Sequence, residues 1–580
     1  MQRKKDRSFV SNRRSFLKSG QPLAVCLQGA FAVHRFLEEL KSIFVFWLEI
    51  EYNLSVLFHF STAVSLMPLL SPFPPRIVSG VFSGERKFFM EGTLFLLVPV
   101  LLPLLSGLAV GLSPVFRRRK LLLQLWTACA LLLSLASMLH AALSLSGSSL
   151  ILFQLTERIQ IQLSMDSLCC FFLTLVAVLW SLVGFYSFEY MDHDEKPHRF
   201  HAVFLASLGI LSGLIMSGNL VTLCLFYALL PIIKLPMVLH TRSRESTTAA
   251  VRLLAYSAFG TIAALSGVLL LNQYCATLSF IPGGTLLPGA EKQEALSWIA
   301  LLMILGFSTR AGMFPLHGGL TAAHPVTPAP VSAVLSGVVT KMGVLGILRT
   351  VFYCIGADAL RGSWVQNVWM SFSLLTVLMG SSLALREDVF KRRLAYSSVS
   401  QISYILFGLS TLTPAGFRGA MLHLVFHAAF KITIYMAVGA IIHKTGLTRV
   451  SELKGLGKRM PRVMVLFTMV SLGLIGIPPS GGFVSKWHLA AGALELSSVF
   501  SILGPAVLLI SAILTAAYLL PVSVRAFFPG SGEPDSDLSS AEPGPLMLLP
   551  KLFLTVFALL GGMFPDRLIV FFDSLLSGLL

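Results

Sequence analysis

The amino-acid sequence predicts an all-α membrane protein that crosses the bilayer about fourteen times. Of its 580 residues, 55% are hydrophobic and only 12% are charged, which is about half the charged share of a soluble domain. From Met90 onward, apolar runs long enough to span a bilayer alternate with short charged loops. The predicted spans lie near residues 92–113, 120–143, 166–190, 199–217, 219–240, 250–272, 296–314, 329–352, 366–385, 393–411, 417–443, 463–485, 502–526 and 548–571.

The basic residues of the loops predict the orientation of these spans. Lys and Arg concentrate in every second loop, most densely at 117–120, 386–393 and 444–462. Because basic loops stay on the cytoplasmic side of a membrane, these loops are expected to be cytoplasmic. The net charge of +17 therefore reflects membrane topology rather than nucleic-acid binding. A multi-pass location in the cell (inner or plasma) membrane is expected.

Residues 1–89 do not follow the same pattern. They begin with a basic polar stretch and continue with apolar patches that several glutamates interrupt. One interpretation is an additional helix near 52–73, which the topology permits. The other is a start-site artefact in which Met90 is the true initiator, because Met90 opens directly onto a clean spanning helix. The sequence favours the second interpretation, and the transmembrane domain is then 90–580.

The chain shows no motif of its own for redox or nucleotide chemistry. Its seven cysteines are scattered without a C-x-x-C pair, so no iron–sulfur cluster, zinc site or disulfide framework is expected. Neither a phosphate-binding Walker loop nor a dinucleotide-binding glycine fingerprint is present. We therefore expect no cofactor in this chain and assign any redox or ATP chemistry to partner subunits. Whether the protein belongs to an enzyme complex stays open at this point.

Two stretches predict helices that are interrupted at membrane depth, near 306–330 and 473–487. Each combines glycines and prolines with a nearby cation, which is typical of discontinuous helices that line a polar cavity. Their corresponding positions predict two inverted repeats of about five helices each, near 199–352 and 366–526. The alternative is two ordinary loops at helix ends. The residues that mark the interruptions are His317, His324, Pro325, Pro478 and Pro479.

Three titratable residues recur at every fourth position within an apolar run. His423, His427 and Lys431 therefore lie on one face of a helix, each one turn above the next. An ammonium group at membrane depth is unfavourable and usually faces an ion or proton path. The spacing predicts a proton relay along a transmembrane helix. A metal-binding histidine pair and a polar packing seam are the alternatives.

Several sequence blocks, in a fixed order, resemble those of a known family. The blocks are Phe-Pro-Leu-His at 314–317, Ala-His-Pro at 323–325, Val-Ser-Ala-Val-Leu-Ser-Gly at 331–337, the stretches 388–401 and 423–431, Gly-Leu-Gly-Lys-Arg-Met-Pro at 455–461 and Ile-Pro-Pro-Ser-Gly-Gly-Phe at 477–483. Over nearly everything after Met90, the chain resembles the antiporter-like subunits of respiratory complex I, membrane-bound hydrogenases and Mrp-type cation/proton antiporters. The form Ala-His-Pro-x-x-Pro-x-x-Val-Ser-Ala is more similar to the hydrogenase and Mrp branches.

The resemblance implies a row of buried lysines and histidines that carries protons at mid-depth. It assigns Lys341 as the central relay lysine and Lys486 as the exit-side group. His423, His427 and Lys431 extend the row between them. A buried lysine suits this task because desolvation lets it both take and release a proton. The alternative for Lys341 and Lys486 is a packing lysine whose ammonium reaches the membrane interface.

The first half of the chain departs from the pattern of this family at two positions. Ala228 stands where the family has a glutamate, and Arg310 replaces its partner lysine. An arginine stays protonated and cannot pass a proton on, so Arg310 is expected to act as a plug or an electrostatic gate. Lys234 lies roughly 240° around the helix from Ala228 and is not a simple substitute.

The resemblance therefore implies a proton-translocating membrane subunit, with Na⁺ as an alternative ion, in a redox-driven complex of complex I or hydrogenase type. Its expected partners are other membrane subunits. Three alternatives stay open: a subunit of an Mrp-type antiporter, a non-conducting structural subunit, and an independent transporter of a small solute. Ala228 and Arg310 favour the non-conducting alternative. The inverted repeat is the only feature that favours the independent transporter.

Overall fold

The structure is a computed structural model that describes residues 93–154, 156, 159–528 and 541–580. The interpretations of residues 1–89 lie outside this part of the chain. The elements up to Ile355 are α1 (Phe95–Leu112), α2 (Val115–Arg118), α3 (Lys120–Ser144), β1 (Ser149–Gln154), β2 (Gln160–Ser164), α4 (Ser167–Tyr190), α5 (Pro197–Ile215), α6 (Leu220–Val238), α7 (Arg244–Leu271), α8 (Glu294–Ala311), α9 (Gly318–Val326) and α10 (Ala329–Ile355). The elements that follow are α11 (Ala357–Leu360), α12 (Trp364–Arg386), α13 (Phe390–Ser410), α14 (Pro414–Thr445), α15 (Leu456–Arg459), α16 (Pro461–Ile475), α17 (Gly481–Leu494), α18 (Phe500–Phe527), α19 (Pro545–Met563) and α20 (Asp566–Leu576).

The predicted all-α, multi-span architecture is confirmed. Among the described residues, twelve helices are long and apolar enough to cross a membrane, and each coincides with a predicted span. The two remaining predicted spans correspond to α13 and α16. Helix α13 is rich in serine but is buried along most of its length, so its hydroxyls face other helices rather than lipid. Helix α16 has only 15 residues because a break ends it.

Helices α10 and α14 form the centre of the protein. Both are buried along almost their whole length, whereas α1, α3, α7 and α19 expose most of their side chains. The exposed side chains are largely apolar, as Leu132, Ile262 and Leu549 illustrate, and this suits a surface in contact with lipid. The arrangement surrounds the two helices that carry Lys341 and Lys431 with other helices.

Both predicted helix interruptions are present. Gly312 directly follows α8 and Gly476 directly follows α16, and each glycine has a positive φ, +80° and +97° respectively. This left-handed conformation ends helices readily and favours glycine. Pro478 and Pro479 then separate α16 from α17, and Pro325 lies at the end of α9. The inverted repeat that these positions suggested stays a prediction.

A short β-hairpin was not predicted from the sequence. Strands β1 and β2 pair in antiparallel register, with Ser149 opposite Ser164. Strand β2 also holds the turn before α6, since Gly218 N donates to Gln162 O (2.8 Å) and Gln162 N donates to Thr222 Oγ1 (2.9 Å). The sequence of β2, in which polar and apolar residues alternate, is the pattern from which a strand could have been predicted.

The loops that carry most of the basic residues meet on one side of the protein, here called the basic side. Lys120 forms an ion pair of 2.6 Å with Asp192, just after α4. His443, near the end of α14, stacks on His193 with 5.6 Å between ring centroids. The start of α13 pairs with the segment that follows α14. This clustering agrees with the alternation of basic loops in the sequence.

Candidate proton relay

A buried hydrogen bond joins the central lysine to the histidines of α14. Lys341 Nζ donates to His427 Nδ1 (2.8 Å) and to Ser336 O (2.7 Å). Lys341 is 1% exposed and follows a π-helical turn at Leu335–Val339, a feature that often marks functional sites. Because an ammonium can only donate, a charged Lys341 requires Nδ1 of His427 to accept.

The row continues from His427 through His423 towards α17. The two imidazole rings are stacked, with 5.9 Å between centroids. His423 Nδ1 is 2.9 Å from Ser485 Oγ, the side chain next to Lys486. Tyr404 stacks on His423 (5.4 Å), and its ring centroid lies 5.1 Å from Lys486 Nζ. These contacts connect the middle of α14 with the interrupted helix.

Lys486 binds the open end of the half-helix α16. Its Nζ donates to Leu474 O and Ile475 O, both at 2.8 Å. These carbonyls have no partner within the helix because α16 stops there, and a cation is favoured at a helix C-terminus. The interruption thus supplies the polar environment that a lysine needs at this depth.

Lys431 forms a branch of the row that is directed to α13. It is fully buried, and its Nζ donates to Ser397 Oγ (2.7 Å) and Leu394 O (3.2 Å). Ser397 Oγ in turn lies 2.6 Å from the hydroxyl of Tyr518 on α18. Lys431 is one turn beyond His427 in the direction of the basic side, so it lies between the row and that face.

His324 lies beside the first interruption and carries no hydrogen bond on its ring. The side chain is fully buried, both ring nitrogens lack a partner within the described part of the chain, and the ring stacks on Tyr435 at 4.9 Å. Lys391 Nζ donates to Thr327 O (2.7 Å), between α9 and α10. His317 is only half-buried and stacks on Phe314, so of the two histidines His324 is the one enclosed near Lys431.

The first half of the chain holds a different arrangement. Arg310 donates to Tyr227 O, and its guanidinium lies 3.6 Å from the centroid of the Tyr227 ring. Its Nε and one terminal nitrogen are buried without a partner. Ala228 offers no carboxylate, and no acidic side chain of the described residues forms an ion pair with Arg310. Lys234 on α6 is also buried, at 5% exposure.

An ion pair fixes the other end of α10, on the side opposite the basic side. Arg349 binds the Asp166 carboxylate with two nitrogens, one of them at 2.8 Å from Oδ1, and is 1% exposed. Asp166 also caps α4, accepting from Cys169 N at 2.8 Å. Burial raises the pKa of Asp166, but the charge and hydrogen bonds of Arg349 outweigh it and hold this pKa below its ordinary value.

Sequence reasoning missed the hydroxyl side chains of the row. Ser397, Tyr404, Ser485 and Tyr518 each contact a relay residue or its partner. Serines and tyrosines are common in membrane helices, and these four come from three different helices. The cluster of serines in α13 could have indicated these contacts, because polar side chains in a membrane span usually face the protein interior.

A multi-span helical architecture with a buried lysine–histidine row and two interrupted helices is typical of membrane proteins that transport ions. A family model described as "NADH:quinone oxidoreductase/Mrp antiporter, TM" matches residues 217–515. A second, "NADH-Ubiquinone oxidoreductase (complex I), chain 5 N-terminus", matches residues 154–201. The chain belongs to the complex I/Mrp antiporter-like membrane subunit family, which confirms the resemblance seen in the sequence.

Curated relatives come from all three branches of this family. The chain is 30% identical over 425 residues to "NADH-quinone oxidoreductase subunit N" of Desulforudis audaxviator, a match that covers 70% of this chain and 83% of that protein. It is 29% identical over 377 residues to "Hydrogenase-4 component B" of Escherichia coli, covering 62% and 55%. It is 30% identical to "Na(+)/H(+) antiporter subunit A1" of Staphylococcus haemolyticus, covering 70% and 53%. The chain spans about half the length of the last two relatives.

Solved structures show the same fold. A chain of the Mrp complex from Dietzia sp. DQ12-45-1b superimposes with a TM-score of 0.72 at 23% identity, covering 85% of this chain and 98% of that one. A chain of the respiratory complex I from Thermus thermophilus superimposes with a TM-score of 0.70 at 21% identity, covering 83% and 99%. The protein is therefore a multi-pass membrane protein with the antiporter-like fold.

Proposed function

We propose that this chain is a proton-translocating subunit of a multisubunit membrane complex and that its second half, from α10 onward, carries the proton. The observation that supports the proposal most directly is the buried 2.8 Å hydrogen bond between Lys341 Nζ and His427 Nδ1. Both groups exchange protons, and a positioned acid–base pair at this distance can transfer one without diffusion.

The proposed transfer runs along the row in single-proton steps. Transfer from Lys341 to His427 leaves a neutral amine and an imidazolium. The stacked rings of His427 and His423 do not face each other through their nitrogens, so the next step uses a bridging water. From His423 the proton reaches Lys486 by way of Ser485. Because like charges repel strongly in a low-dielectric interior, a proton that arrives at Lys431 favours release of another at Lys486.

The side chains of the row favour H⁺ over Na⁺ as the ion. Lys341, His423, His427 and Lys486 present nitrogen bases, which bind protons. Hard metal cations instead take carboxylate, carbonyl and water oxygens. Within the described residues, no group of three or more histidine, cysteine or acidic side chains is arranged to hold a metal ion.

The complex is proposed to be redox-driven, of complex I or hydrogenase type. The support is the similarity to an NADH-quinone oxidoreductase subunit and to a hydrogenase-4 component, while the antiporter relatives support an Mrp-type complex instead. Purification of the tagged chain from its native membrane in mild detergent, followed by mass spectrometry, separates these proposals. Hydrogenase-like or NADH-dehydrogenase-like partners support the first and small antiporter subunits the second. A chain that purifies alone contradicts both.

A second candidate function is that of a non-conducting structural subunit. The arrangement of Arg310 over Tyr227 favours it, because this half offers a fixed charge in place of an exchangeable proton. On this alternative, the second-half row only stabilises helix packing, and removing its lysines leaves proton movement by the complex unchanged.

Lys341→Met tests the proposed function against this alternative. We expect proton flux through the reconstituted complex to fall by at least about 100-fold, the lower range for a lost acid–base step. Lys551→Met is the matched control, because Lys551 is an equally buried lysine on α19, outside the row. Unchanged flux in an assembled Lys341→Met complex contradicts the proposal and supports the structural role.

A further inference from the structure

A ladder of histidine and tyrosine rings leads inwards from the basic side. His193, in the loop after α4, stacks on His443 of α14 with 5.6 Å between centroids and 9° between planes. His443 lies 5.3 Å from Tyr190, and Tyr190 stacks on Tyr186 at 5.8 Å. None of these four residues belongs to the row described above, yet each has a side chain that can accept and donate a proton.

The inner end of the ladder meets the first helix interruption. Tyr186 is fully buried and donates to Met436 O on α14 (2.9 Å). A Cβ atom at Gly439 would lie 2.6 Å from the Tyr186 hydroxyl, so glycine is needed at this close approach. The same Cβ atom at Gly439 would lie 3.6 Å from the Tyr190 ring and would clash with Ala329, the first residue of α10 after the break, so the ladder and the start of α10 meet at this glycine.

The interruption then leads to His324 and the relay. Thr327 lies between α9 and α10, and its carbonyl accepts from Lys391. Three residues earlier, His324 presents two buried ring nitrogens without a partner. Its ring stacks on Tyr435, one turn of α14 beyond Lys431. The ladder thus ends at the start of α10, and His324 lies at the end of α9 on the other side of the break.

We propose that His193, His443 and Tyr190 form the entrance through which protons from the basic side reach His324 and Lys431. This inference rests on the proposed function, and it names the proton source that the relay needs. An imidazole at the surface accepts a proton from water. Because these rings meet by their faces, bridging waters carry the proton from one ring to the next and from Tyr190 to His324. The Tyr190 hydroxyl accepts a proton from one water as it donates its own to the next, so each transfer leaves the ladder with its original charge.

Charged groups of both signs surround the outer histidines. Carboxylates near a surface path attract cations and raise their local concentration. Asp192 lies next to His193 and is ion-paired with Lys120, while Glu189 lies on the same turn of α4 as Tyr190. The titratable or charged groups that act on His443 are Lys444 on its own helix and His193, Glu189, Asp192 and Tyr190 from the facing segments.

The test measures proton uptake in vesicles that contain the assembled complex, as the pH on the basic side is raised. We expect Tyr190→Phe and the double variant His193→Gln/His443→Gln to slow proton uptake at high pH. The expected decrease is at least about tenfold, the lower end of the increase in association rate that electrostatic focusing provides. At low pH, where protons are abundant, the loss is expected to be smaller. Tyr190→Phe removes one oxygen only, so assembly is expected to persist.

His240→Gln is the matched control on the same face. His240 pairs with Asp194 at 2.8 Å and lies outside the ladder, so its variant is expected to keep the pH profile of the native complex. Lys341→Met separates the two proposals. If Lys341→Met abolishes flux while the entrance variants keep the native profile, the entrance is wrong and the relay stands. If Lys341→Met leaves flux intact, the proposed function fails first.

Discussion

Both halves of this protein bury cations, but these cations differ in what they contact. In the second half, Lys341, Lys431 and Lys486 each donate to a side chain or an open helix end. In the first half, Arg310 is held by the carbonyl and ring of Tyr227, with no carboxylate paired to it in the described chain. Burial alone therefore does not make a relay. A cation must also be able to lose its proton to a positioned acceptor.

The largest expected effect comes from removing that acceptor in the second half. His427→Ala takes away the group that accepts from Lys341, and we expect proton flux to fall by about 100-fold or more, as for a lost acid–base step. Flux in reconstituted vesicles is the measurement. His317→Ala, which changes a half-buried histidine beside the first interruption, is expected to have a much smaller effect. Equal losses in both variants would mean that the row is not a specific path.

Introducing an exchangeable acid–base pair into the first half tests whether that half can take part in proton transfer. The double variant Ala228→Glu/Arg310→Lys introduces a carboxylate next to Tyr227, the residue that contacts Arg310, together with a lysine that can release its proton. We expect the flux or its pH dependence to change by about tenfold, because one carboxylate can shift a neighbouring lysine by about one pKa unit or more. Arg310→Lys alone serves as the control, since it lacks the acid. A double variant identical to the native protein would show that the first half is not connected to the path.

A smaller effect is expected at the branch that leads from Lys431. Tyr518→Phe removes the hydroxyl that lies 2.6 Å from Ser397 Oγ, the partner of Lys431. Loss of one neutral hydrogen bond corresponds to about 1 kcal/mol, so we expect flux to fall about fivefold. Tyr274→Phe, outside the row, is the comparison variant. A loss as large as that of His427→Ala would place Tyr518 on the main path.

The smallest effect on flux is expected at the ion pair between Asp166 and Arg349, which belongs neither to the lysine–histidine row nor to the ladder. Asp166→Asn should leave flux nearly unchanged but lower the free energy of unfolding by about 2 kcal/mol, the scale of a charge-assisted hydrogen bond. The pKa of Asp166 is below its ordinary value, so its contribution is complete above about pH 4 and is lost as the pH falls through the folded-state pKa. Thermal unfolding of both proteins across pH checks this. A stability difference that grows on acidification would contradict the assignment.

The sequence determined the membrane class, the spans, the two interruptions and the face shared by His423, His427 and Lys431. These features depend on composition, on local Gly and Pro signals and on a helical period that is visible within nine residues. The altered pair at Ala228 and Arg310 was also visible, because it is a change of residue type at two positions of a recognisable pattern.

The contacts between these residues depend on how the helices pack and were not predictable from the sequence. Lys341 and His427 are 86 positions apart in the chain, and the ladder from His193 to Tyr186 joins α4 to the far end of α14. The hairpin and the hydroxyls of Ser397 and Tyr518 were likewise beyond sequence reasoning. Proton transfer requires that the donor and acceptor atoms of two side chains lie within hydrogen-bonding distance of each other. Local periodicity fixes which way a residue faces on its own helix, and helix packing alone fixes what it faces.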